Sequence, residues 1–203
     1  MAAVASLANL LAEQRVWRGK PTALAPGKQP TGLDALDAVL PANGWPEASL
    51  SEILLPADGM GELELLLPTL ARLTRADRHV ALVTPPYVPY APAWQAAGVK
   101  LSRLGIIAAP AHDMAWAMEQ ALRSGSCGAV LGWPTRVDDR TLRRLQVAAN
   151  TGNALGFVFR DRTALANPSP AALRLEVGRN QLLVRKCRGG NPPSPVAFAR
   201  AGV

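Results

Sequence analysis

The apolar residues of this chain fall into short runs separated by stretches of helical period. Strand-like runs are predicted over Ser49–Leu55, His79–Thr84, Leu104–Ala108, Ala129–Leu131 and Leu155–Phe159,. Between them lie segments with apolar positions three and four apart. The longest is Glu62–Arg75, where Leu63, Leu66, Leu67, Leu70 and Leu73 recur and Pro68 interrupts the hydrogen-bond ladder,. Ala91–Ala97, Asp113–Arg123 and Asp138–Asn150 read the same way, and Gly32–Val39 reads as a short helix capped by Thr31,.

Strands alternating with helices predict an α/β fold with a mostly parallel twisted sheet flanked by helices. The rhythm then changes. Ala172–Val177 and Leu182–Lys186 flank Gly178-Arg179-Asn180-Gln181, which predicts an antiparallel hairpin at the C-terminal edge,. Ahead of the core, Ala5–Trp17 puts Leu7, Leu10 and Leu11 on one stripe, and Arg18–Pro30 is a Gly/Pro-rich linker,. The expected organisation is an arm and linker over 1–29, a core over 30–190 and a tail over 191–203. The arm is a candidate for self-association, making a homo-oligomer, or for holding a partner.

The chain has 203 residues and 49% hydrophobic composition, enough for one sizeable core,. No apolar run approaches the roughly 18 residues of a membrane span, and no cleavage site follows the apolar start, so a cytoplasmic protein without a signal peptide is expected. Cys127 and Cys187 lack CxxC partners and sit far from His79 and His112, which leaves no zinc set and two reduced thiols,. No cofactor, metal or catalytic residue is expected.

Charge changes the picture more. Residues 1–120 carry 9 basic and 11 acidic side chains, whereas residues 121–203 carry 13 basic and 4 acidic. Such asymmetry points the second half toward nucleic acid or an acidic protein, against the plainer reading of a solubilising surface. Arg136, Arg140, Arg143 and Arg144 follow helical spacing as a basic stripe, and Arg185, Lys186 and Arg188 end the hairpin,. These are candidate phosphate or partner contacts. Trp94 and Trp116 read as core. Trp45, Trp133, Tyr87 and Tyr90 read either as packing or as the lining of a cleft.

Several motifs, in order, resemble the RecA family: Pro30-Thr31-Gly32, Leu36-Asp37, Asn43-Gly44-Trp45-Pro46, Glu52-Ile53, and Ala121-Leu122-Arg123-Ser124-Gly125 before Ala129-Val130-Leu131. The resemblance implies a RecA-like ATPase core and a phosphate loop after Leu55. That place reads Pro56, Ala57, Asp58, Gly59, Met60, Gly61, Glu62. A phosphate loop needs a Lys and a Ser or Thr after its glycines. Glu62 and Leu63 stand there instead, and two like charges at 4 Å repel by about 1 kcal/mol even in water. Gly132 occupies the position of the magnesium-binding Asp, and Thr84-Pro85-Pro86 that of the catalytic Glu,. The implied protein is a degenerate ATPase and not an enzyme. In RecA-like folds the loop opened here by Arg160 and Arg162 is DNA-contacting, which makes those two residues candidates for a weak DNA contact.

A closer resemblance is to ImuA-like proteins, which are related to the SulA cell-division inhibitors. It rests on Gly44-Trp45-Pro46, Gly61-Glu62-Leu63-Glu64-Leu65-Leu66-Leu67-Pro68, Pro86-Tyr87-Val88-Pro89-Tyr90, Leu131-Gly132-Trp133-Pro134 and Arg188-Gly189-Gly190. It implies an SOS-induced accessory protein of translesion synthesis that binds the polymerase-like ImuB and RecA. The alternative it carries is a SulA-type inhibitor that sequesters the polymerising division GTPase.

Overall fold

The computed structural model describes residues 29–57, 59, 61–135 and 137–198. The arm with Leu7, Leu10 and Leu11, and also Asp58 and Arg136, lie outside the described residues. Eight described strands form one sheet: β1 Leu50–Leu55, β2 His79–Val83, β3 Leu104–Ile107, β4 Cys127–Gly132, β5 Leu155–Asp161, β6 Leu173–Val177, β7 Gln181–Cys187 and β8 Val196–Ala197. Their order is β3-β2-β4-β5-β1-β6-β7-β8. The first six in that order run parallel; β7 pairs antiparallel with β6, and β8 antiparallel with β7.

Five described α-helices accompany the sheet: α1 Asp34–Asp37, α2 Glu62–Arg75, α3 Ala91–Ala96, α4 Met114–Arg123 and α5 Asp139–Thr151. Because successive strand side chains point to opposite faces, the sheet feeds two cores. Ile53, Leu82, Leu131, Phe157 and Leu175 pack with Leu65, Leu66 and Leu70 of α2 and with Trp94 of α3. Leu50, Val83, Val130 and Val158 pack with Met118 and Leu122 of α4 and with Leu142 and Leu145 of α5. The central strands are buried along their whole length, as expected for parallel strands covered on both sides,.

Local chemistry sets the boundaries. α2 follows Gly61 (φ +86) and ends at Ala76, with Glu62 and Glu64 in its first turn and Arg72 and Arg75 in its last, charges that suit the helix dipole,. Pro68 sits inside that helix, and a Cβ on Gly32 (φ +87) would fall 2.3 Å from the Pro68 Cβ. Gly32 is therefore fixed both by its left-handed backbone and by the close approach of the proline. α5 is capped by Asp138, whose carboxylate accepts the Thr141 N–H at 2.8 Å,.

Several expectations need correction. The first helix is one turn, Asp34–Asp37, and Thr31 does not cap it. Thr31 instead accepts the Leu33 N–H at 3.1 Å and donates its own N–H to Asp37 Oδ1 at 2.9 Å. The stretch expected as a tail returns to the sheet: Val196–Ala197 forms β8, and Val196 and Phe198 are buried. A two-residue strand behind prolines carries too little periodicity to show in sequence. Trp116 is 58% exposed rather than core.

Candidate functional site

β4, β5 and β1 are adjacent and parallel, so Gly132, Asp161 and Leu55 end at the same edge of the sheet. Loops leaving that edge enclose an open cleft of about 480 Å³ lined by Leu55, Trp133, Phe159, Arg160, Asp161 and Thr163, among others. Clefts outside the carboxyl ends of parallel strands are where α/β folds bind ligands. One wall is apolar, because the Trp133 and Phe159 rings stack at 4.5 Å with planes 8° apart,. The opposite character comes from Asp161, held below the usual carboxylate range by hydrogen bonds from the Thr163 hydroxyl and N–H.

Near the cleft, in the sheet, lies a buried ionic triad. Glu52 in the middle of β1 is fully buried. Arg160 of β5 holds Glu52 Oε1 at 2.5 Å, and Nε of Arg174 on β6 lies 2.6 Å from Oε2. Register explains the meeting, since Arg174 pairs directly with Glu52, and Arg160 stands two residues beyond Val158, the β5 partner of Glu52. The guanidinia also donate to the carbonyls of Val137, ahead of α5, and of Ala164 and Asn167, in the loop after β5, which ties both segments to the sheet.

A second, smaller cavity of about 40 Å³ adjoins the first through the shared wall of Trp133 and Pro86, and is lined also by Glu62, Tyr87, Pro89 and Trp94. Glu62 is 6% exposed. Its Oε1 accepts the Gly59 N–H at 3.0 Å, while Oε2 finds no hydrogen-bond partner among the described residues.

Beyond this cavity the surface is apolar. Tyr87, Val88 and Tyr90 are 71%, 89% and 72% exposed. They lie on the segment leaving β2, whose Thr84 N–H still donates to the Ile107 carbonyl of β3 at 2.9 Å. β3 is the edge strand, with only β2 beside it among the described residues, and Ile106 and Ile107 on it are exposed. An apolar loop beside an open strand edge is the kind of surface on which proteins can pair. The quoted Pro-Tyr-Val-Pro-Tyr run was the signal for it.

The basic candidates divide among different duties. Arg160 is not a surface contact, because its side chain is 10% exposed and bound to Glu52. Arg144 turns to Glu119 of α4, which also holds Arg123, and Arg143 pairs with Asp139 four residues before it. Arg185 pairs with Glu176 at 2.6 Å. Lys186 donates to the Ser169 carbonyl at 2.6 Å, and its pKa falls through burial and then through the charges of Arg174 and Arg188. Arg140, Arg162 and Arg188 are exposed and make no ion pair among the described residues. The expected stripe of α5 is thus split between neighbours. Trp45 is not a cleft residue either: it is fully buried, donates to Thr69 Oγ1 at 2.8 Å and meets Phe157 edge-on. Pro56 and Gly59 are exposed at the turn after β1, Gly61 precedes α2, and Gly132 is buried at the end of β4.

Fold and surface together define an α/β domain with a mostly parallel sheet, an antiparallel hairpin at one edge and an exposed apolar margin at the other. The family described as "SulA: Cell division inhibitor SulA" matches residues 48–156, more than half of the chain, and the chain belongs to this family. The cell division inhibitor SulA of Yersinia enterocolitica is 31% identical over 130 residues, covering 62% of this chain and 77% of that protein. SulA of Salmonella arizonae is 34% identical over 119 residues, covering 57% and 70%. The crystal structure of SulA from Pseudomonas aeruginosa is 27% identical, with a TM-score of 0.47 and coverage of 57% of this chain and 98% of that one. This membership overturns the expected role in translesion synthesis and the expected partners ImuB, RecA and DNA. The motifs quoted for that role include many that lie within the span shared with the inhibitors. No described helix is long and apolar enough to cross a membrane.

Proposed function

We propose that this chain is a SulA-type inhibitor of cell division, acting in the cytoplasm by stoichiometric binding to the polymerising division GTPase. One observation carries the reading. The segment shared with the inhibitors, residues 48–156, contains the whole apolar margin, from Tyr87, Val88 and Tyr90 to Ile106 and Ile107, and stops before the basic hairpin β6–β7. A binding function needs such a surface and no reacting group.

The same reading takes the core as a RecA-type domain whose nucleotide site is dismantled. Support comes from three places. The turn after β1 gives a backbone N–H, that of Gly59, to the chain's own Glu62 carboxylate rather than to a phosphate. At the end of β4, a Cβ on Gly132 would lie 2.2 Å from Met118 Sδ, so no magnesium-binding side chain fits there. After β2 come Thr84, Pro85 and Pro86, with no carboxylate.

The test is polymerisation of the purified division GTPase, followed by light scattering with the chain added at increasing ratios. Suppression should be complete near equimolar chain, and Val88→Asp should abolish it with an unchanged melting midpoint. Undiminished polymer at large excess of the folded chain would refute the proposal. Equilibrium dialysis should show no magnesium-dependent ATP binding.

A further inference from the structure

Buried glutamates in this fold follow a rule with one exception. Glu52 holds Arg160 and Arg174, Glu119 holds Arg123 and Arg144, and Glu176 holds Arg185. A carboxylate removed from water needs such partners, because desolvation otherwise costs several kcal/mol. Glu62 is buried to the same degree, yet no ion pair reaches it among the described residues, and its Oε2 has no hydrogen bond. The N-terminus of α2 and the Gly59 N–H offset part of that cost,. The remainder has no source among the described residues.

Glu62 lines a cavity whose other walls are Tyr87, Trp94 and Trp133 together with leucine and proline side chains. The cavity's volume of about 40 Å³ suits a small polar head, since one water's share of the liquid is about 30 Å³,. A buried carboxylate with aromatic rings beside it can recognise a cation, a ring face that meets the charge adding cation–π attraction to the ion pair. A planar guanidinium with five donors is poorly served by one free oxygen, whereas an ammonium can give one N–H to Glu62 and turn the rest to the rings. The cavity opens beside Tyr87 and Val88, on the apolar margin already assigned to partner binding.

We infer that this pocket receives one lysine side chain of the protein partner, with Glu62 as its counter-ion and Tyr87, Trp94 and Trp133 as its cage. The inference deepens, and rests on, the reading of the margin as the partner surface. It makes Glu62, which is hidden in the free protein, the polar centre of an otherwise apolar contact, as in interfaces where a few buried groups dominate the energy.

The test has two arms. In the first, the indole N–H signals of Trp94 and Trp133 are followed by NMR while n-butylammonium chloride is added to the full chain, with n-butanol, n-propylguanidinium chloride and sodium chloride as comparisons. Saturating shifts are expected with n-butylammonium only, and their loss in Glu62→Gln, which keeps an acceptor for Gly59. Equal shifts with n-butanol, preference for the guanidinium, shifts that persist in Glu62→Gln, or no shift at all would overturn the inference. So would a steep fall in melting midpoint for Glu62→Gln, because a charge satisfied within the chain would be missed on folding.

In the second arm, affinity for the division GTPase is measured. Glu62→Gln should bind at least about tenfold more weakly, as when one member of a buried charge pair is lost. Wild-type affinity in Glu62→Gln would overturn the pocket but leave the partner reading intact. Saturation by n-butylammonium with no GTPase binding by the wild type would do the reverse.

Discussion

Replacing Glu52 by Gln isolates the triad under the cleft. The change keeps volume and shape but removes the one carboxylate that serves two guanidinia. Both arginines are nearly inaccessible, with side chains 10% and 9% exposed, so water cannot replace what is lost. Breaking a buried pair by deleting one partner costs about 3–5 kcal/mol. Against a total stability of about 5–15 kcal/mol this is a large fraction. For a chain of this length each kcal/mol moves the melting midpoint by about 2–4 °C, so the variant should melt about 6–20 °C lower. Urea denaturation at constant pH gives the free energy directly. The companion variant carrying Glu52→Leu, Arg160→Met and Arg174→Met together should recover part of the loss, since apolar residues of similar volume replace buried ion pairs at little cost while the carbonyls of Val137, Ala164 and Asn167 lose their donors,. Breaking the exposed Arg143–Asp139 pair sets the scale for a surface contact and should cost only about 0.3–0.5 kcal/mol,. A Glu52→Gln loss below about 1 kcal/mol would refute the view that the triad is dry and interdependent.

Gly132→Ala would push a methyl into fully buried Met118 and should destabilise by about 1–3 kcal/mol, read as a shift in urea midpoint with unchanged slope,. Burial pushes the Cys127 and Cys187 thiols above their ordinary pKa, so both should resist a thiol reagent at pH 8 until urea is added,. They should never form an intramolecular disulfide, because β4 and β7 are four strand spacings apart, about 19 Å,. Lys186 binds its proton less tightly folded than unfolded, so the unfolded chain holds more protons just below pH 10.5. Stability of the wild type relative to Lys186→Met should therefore rise as pH climbs through the folded pKa toward 10.5; a flat or falling difference in urea midpoints would contradict the assignment.

Much of the fold was legible because it is written in local periodicity. Glu62–Arg75 begins and ends where its leucines and flanking charges place it, and the strands differ from expectation by only a few residues at their ends. The hairpin turn was equally visible. What sequence hid was pairing between distant strands. Glu52 and Arg174 each stand inside an apolar run destined for burial, and opposite charges in two buried strands were a usable signal. Their meeting depends on strand order, which no local pattern encodes. The basic stripe failed for a related reason, since helical spacing groups Arg140, Arg143 and Arg144 but cannot show that Glu119 comes across from α4 to claim one of them. Trp116 was expected in the core and is exposed, while Trp45 took the packing reading over the cleft, because aromatic residues look alike until their neighbours are known. The functional class, by contrast, turned on kinship, and several of the motifs read as signs of one SOS role lie within the span shared with another.

The sheet order has a consequence for where the shared segment can be separated from the rest. The family match ends at residue 156, two residues into β5, and leaves out β6, which lies along the other side of β1. Cutting there would strip one neighbour from the central strand, truncate the other and free Glu52 of both its arginines. The matched span is thus not a self-contained unit of this sheet. Whatever surface it carries into a complex is held in shape by strands beyond residue 156 that the relatives need not share residue for residue.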